Sequence, residues 1–194
     1  MLASIHPLGE RARNQRFAVT VIAYALGSVL GAAALGAILG LVGRITFGSS
    51  LPTRAAVLAA AAVVAVVVDR ARLPIPSWRR QVNEDWLSEF RGAMYGFGFG
   101  AQLGLGVVTI VTTASVYLTW IAATTMANVA VGALVGAAFG MARALPVMLS
   151  ARVRSPASIA ARVRILHAWD GKFGLVTVVS ETVVACAALV VALQ

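Results

Sequence analysis

Glu181 stands in the run VTVVSETVVACAALVVALQ, flanked directly by Ser180 and Thr182 and otherwise by apolar residues. A carboxylate inside an apolar run is costly unless it is paired, protonated or turned to a wet cavity. It therefore marks a place for proton, cation or counter-ion chemistry. Thr177, Ser180 and Glu181 fall three and four residues apart, on one side of a helix. In a second apolar run, Gln102, Thr109 and Thr113 are spaced seven and four apart and also share a side. Arg143 is the charge in a third run, three residues before Pro146. At about 1.5 Å per residue, Glu181 lies roughly 12 Å past Phe173, Gln102 roughly 15 Å past Gly92 and Arg143 roughly 9 Å before Leu149. Similar depth predicts an Arg143–Glu181 pair with Gln102 nearby, which would offset both charges in lipid. These seven residues form the candidate solute- or ion-binding set. Two roles stay open for the pair, a proton or cation site and a brace that sets helix register. For Gln102 and the threonines, hydrogen bonds within or between helices are the plainer role.

Other chemistries find little to work with. A single cysteine, Cys186, excludes a disulfide or a dithiol couple within the chain. His6 and His167 lie far apart, and no Cys/His spacing suits a metal. No nucleophile–base pair or phosphate-cradling loop occurs, so neither enzyme activity nor a cofactor is expected.

The elements that must position these residues follow from composition. The chain has 194 residues, 60% hydrophobic and 12% charged, about half the charged share of a soluble domain. An all-α polytopic membrane bundle is expected, a single integral domain over residues 1–194. About 20 apolar residues cross a bilayer, which places spans at 17–43, 52–68, 93–121, 127–149 and 173–194. The first far exceeds a signal-peptide core of about 7–15 residues. Ser50 and Pro52 suit the start of the second, with Arg54 reaching to the interface. The uncharged stretch from Gly92 to Ala142 holds two spans with a turn near AATTMAN. Placing the N-terminus in the cytoplasm leaves 14 of the 16 basic residues inside and only Arg44 and Arg54 outside. The C-terminus is then outside, in the cell membrane.

Two inner loops read as amphipathic surface helices. In PSWRRQVNEDWLSEF, Trp78, Val82, Trp86 and Phe90 recur every four residues. In RSPASIAARVRILHAWDGK, Pro156 starts a helix that Gly171 can end. Their arginines point to anionic lipid rather than nucleic acid. Glycines recur every four residues at 92, 96, 100 and 104, and at 132, 136 and 140, with pairs 27/31 and 36/40. Such stripes let helix backbones approach closely. The extra glycines at 98 and 106 also permit a break in the third span, as in helices that line transporter sites.

The segments GFGFGAQLGLGVVTIVTT and GALVGAAFGMARALPVML together resemble the DsbD/CcdA-type transmembrane family of the LysE-like transporter group. The resemblance implies a related membrane fold. Val111, Thr112 and Thr113 stand where that family has its Cys-Pro element, so the thiol relay is not implied. The expected function is a small transporter-like membrane protein that binds or moves a small solute or ion. The alternative is a non-catalytic accessory or scaffold subunit of a larger membrane complex that meets a membrane partner, or a second copy, through its glycine stripes and basic inner loops.

Overall fold

The computed structural model describes residues 7–77, 90–106, 111–149 and 156–194, and every regular element among them is helical. In chain order these are α1 (Pro7–Ala12), α2 (Phe17–Phe47), α3 (Leu51–Arg70), α4 (Gly92–Leu105), α5 (Ser115–Thr125), α6 (Val129–Leu149) and α7 (Pro156–Ala192). Four segments are long and apolar enough to cross a membrane: α2, α3, α6 and the Gly171–Ala192 part of α7. Their outward faces carry Ile22, Leu30, Ile45, Val64, Leu134, Val176 and Val190, all exposed. An apolar belt of this extent needs lipid or a partner to cover it.

α2 is the spine, and small residues explain how it is used. Gly96, Gly100 and Gly104 of α4 abut Thr20, Tyr24 and Ser28, so α2 and α4 run parallel. Gly132, Gly136 and Gly140 of α6 abut Gly36, Ala32 and Ser28, so α6 runs antiparallel. The three helices converge at Ser28, whose hydroxyl donates to the Gly140 carbonyl at 2.8 Å. α7 packs instead on α3. α5 joins the two groups. Val116, Trp120 and Ala123 bury one side of it near Ala32 of α2. Ala114 and Leu118 bury the other against Ala62 and Ala65 of α3 and Ala185 of α7.

Two expectations change. The third span is not continuous: α4 stops at Leu105, Gly106 turns at φ +70°, and helix resumes at Ser115. A residue in the left-handed region leaves the helical path, and glycine adopts it without steric cost. The proposed surface helix before the fifth span is not separate either. α7 runs unbroken for 37 residues, and Gly171 lies inside it. Glycine within a helix costs only about 1 kcal/mol, and the apolar run after it keeps the helix going. The other surface helix falls on residues 78–89, outside the described residues. The expected turn near 122–128 is present: Ala127 adopts φ +51°, and Asn128 Oδ1 accepts the Val131 N–H at 3.1 Å.

Candidate functional site at the broken helix

A helix that starts inside a bundle exposes N–H groups with no intrahelical partner and a partial positive charge. At the start of α5 these groups meet acids. The Ala114 N–H donates to Asp69 Oδ1 at 2.8 Å. The Ser115 hydroxyl donates to Glu181 Oε1 at 2.7 Å. Glu181 is 1% exposed, and Asp69 lies close enough for the two carboxyl groups to interact. Glu181 Oε2 and Asp69 Oδ2 are both buried without a hydrogen-bond donor among the described residues. The opposite end of α5 is met by a cation from the same helix, α3: Arg54 Nη1 donates to the Met126 carbonyl at 3.0 Å. Arg54 therefore caps α5 at the turn that follows it. α3 thus sets an acid at the positive end of α5 and a base at its negative end, both favourable to the helix dipole. Arg54→Ala should lower stability by about 1–2 kcal/mol, read as an earlier unfolding transition in detergent, and Arg54→Lys should recover part of it.

Beside the carboxylates lies a cleft of about 760 Å³, lined by Asp69, Arg70 and Arg72 of the α3 end, Thr112 and Thr113, and the α7 face bearing Phe173 and Thr177. Thr177 is one helical turn before Glu181, so the cleft floor adjoins the acid pair. Beyond the pair, Ala62, Ala65, Leu118 and Ala185 close the core.

The expected residues distribute unevenly. Glu181, Thr113 and Thr177 come together at this end of α5. Arg143 does not reach Glu181: it lies over the Phe139 ring at 5.4 Å, within electrostatic reach of Tyr24. The reason is lateral, because α6 packs on α2 whereas α7 packs on α3. Gln102 is half-buried on α4, against α2. Ser180 is exposed and donates to the Thr177 carbonyl of its own helix at 2.7 Å. Thr109 lies outside the described residues. Asp69 and Ser115 were not anticipated. Their signal was available: Thr-Thr-Ala-Ser after a glycine-rich run is a plausible helix restart, which needs an acceptor from elsewhere.

A second buried acid also went unanticipated. Glu10 of α1 is 0% exposed and accepts from Arg13 at 2.7 Å, from Thr20 at 2.7 Å and from the Tyr95 hydroxyl. Burial opposes the charge on Arg13, but the adjoining Glu10 outweighs it and holds the guanidinium above its ordinary value. This cluster ties α1 to α2 and α4.

Fold and site together describe an all-helical protein with membrane-length apolar helices and, at a helix break, an acid pair of buried Glu181 and half-buried Asp69. Over 77% of its length the chain is 32% identical to methylamine utilization protein MauF of Paracoccus versutus. It is 30% identical over 77% to the protein of that name from Methylorubrum extorquens, and 31% over 77% to that of Methylobacillus flagellatus. It covers 56%, 54% and 54% of these proteins, so it spans about half the length of the curated relatives it matches. No family model matches the chain, and no solved structure matches it. These relatives overturn the resemblance to the DsbD/CcdA and LysE-like proteins. The shared feature was glycine spacing, which any two closely packed membrane helices require.

Proposed function

We propose that this chain is a non-catalytic, multi-pass accessory protein of the cytoplasmic membrane that serves a methylamine-utilization system together with a protein partner. The similarity to the MauF proteins over 77% of the chain carries this reading. It favours the accessory alternative over the transporter-like one, for which the relatives offer no support. In the proposed topology the N-terminus is cytoplasmic, α4 and α5 together make the third of five crossings, and the C-terminus is outside. The gathering of Arg11, Arg13, Arg16, Arg70 and Arg72 toward one side, with Arg44 and Arg54 toward the other, supports that orientation. The basic side would rest on anionic lipid.

Deleting the gene should abolish growth of the host on methylamine as sole nitrogen source while leaving growth on ammonium salts unchanged. Full-length protein should restore growth, and the purified chain in liposomes should pass no methylamine. Unchanged growth of the deletion strain would overturn the reading.

A further inference from the structure

Two carboxyl groups adjoin one another inside the bundle, and each keeps one buried oxygen without a donor among the described residues. The partial positive charge of the α5 N-terminus, about half a unit, is directed at Asp69 through the Ala114 N–H. Glu181 receives only the neutral Ser115 hydroxyl. Two carboxylates against about half a positive charge leave roughly one and a half negative charges at the pair, partly offset from the cleft by Arg70 and Arg72, and this calls for one monovalent cation or one proton.

The donor set narrows the choice. A hard metal ion such as calcium or magnesium takes about six or more oxygen ligands, whereas two bare carboxylate oxygens are available here. A primary ammonium offers three N–H donors on one charge, two of which the free carboxylate oxygens can accept. Its alkyl end would lie against an apolar wall, and Val68, Leu73, Ile75 and Val178 supply one along the cleft.

We propose that Asp69 and Glu181, at the break before α5, form a binding site for a small primary alkylammonium ion that enters through the adjoining cleft. The choice of an amine rests partly on the accessory reading, whereas the need for a cation rests on the two carboxyls alone. In the empty site Glu181, held by a neutral hydroxyl alone, carries one proton, and the arriving R–NH3+ sends that proton to water, so the charge of the site is conserved.

Calorimetric titration of the full chain in detergent with methylammonium chloride tests this, with sodium chloride and tetramethylammonium chloride as parallel arms. Saturable binding is expected for methylammonium and none for tetramethylammonium, which has the charge but no N–H. Glu181→Gln keeps an acceptor for Ser115, and Asp69→Asn keeps one for Ala114. Each should weaken binding by about a hundredfold, as expected when one buried charge loses its partner. If either variant fails to fold, infrared difference spectra of the wild type decide instead, and methylammonium must convert a protonated carboxyl band into a carboxylate band. Absent saturation, equal binding of sodium or tetramethylammonium, unaltered affinity in the folded variants or an unchanged infrared spectrum each overturns the site. Growth on methylamine is scored separately. Loss of growth on deletion without amine binding would leave the accessory reading standing and remove this one, and binding with unaffected growth would do the reverse.

Discussion

Gly36→Val separates α2 from α6 and destabilises the bundle by about 3 kcal/mol, the upper end of typical overpacking costs. A Cβ at position 36 would sit 2.1 Å from the Gly132 carbonyl oxygen and 2.9 Å from its carbon. Both are backbone atoms, so no side-chain rotation relieves the clash, and the helices must move apart. Moving apart also strains the Ser28–Gly140 hydrogen bond two turns away. Gly174→Ala is the matched control. It lies within α7, with nothing inside 4 Å of a built Cβ. There the lost backbone freedom of the unfolded chain dominates, and stability should rise by about 0.5–1 kcal/mol. Denaturant titration in detergent micelles reads both effects. Equal midpoints for Gly36→Val and wild type would show that these backbones are not in contact.

Glu10→Ala should cost roughly 3 kcal/mol, because it leaves Thr20, Tyr95 and Arg13 without the carboxylate they share. Arg13 is partly exposed and can turn to water, so most of the loss falls on the two hydroxyl groups. Trypsin should then cut rapidly after Arg11 or Arg13, where the intact protein resists, since α1 is held to α2 and α4 mainly by this acid. Arg13→Ala should have a much smaller effect. Resistance to trypsin in Glu10→Ala would mean that α1 is anchored by other contacts.

The legible part of the fold was whatever hydropathy and local punctuation control. α2, α3 and α6 begin within two residues of the expected spans at 17, 52 and 127. Apolar length and the signals at Ser50–Pro52 and Asn128 act locally there. The break after Leu105 was present as a permission in Gly106, but a permission is not a choice. Many glycines sit in unbroken helix, as Gly171 does. The break becomes favourable because Asp69 supplies an acceptor for the exposed helix start and Arg54 a donor for its end, from 45 and 72 residues earlier in the chain.

The candidate site divides in the same way. Glu181 was conspicuous because a carboxylate stands out in an apolar run. Its partner was misassigned because depth along a helix can be counted from residue numbers, whereas position around the bundle cannot. Arg143 and Glu181 share a level but belong to helices that pack on different neighbours. Asp69 stands at the polar margin of the second apolar run and Glu10 in a short polar segment, where neither has an apolar background to make it stand out.

By itself the amino-acid order determined that the chain forms apolar helices of membrane length, where most of them start, and which faces are small enough for close packing. These properties depend on neighbours a few residues apart. Tertiary structure alone decided that the third crossing splits and that Asp69 and Glu181 meet at the split. It also set Arg143 beside Tyr24 and Phe139. Such meetings depend on which helices become neighbours. That pairing is settled by the summed close contacts of whole faces, so no single polar residue announces its partner.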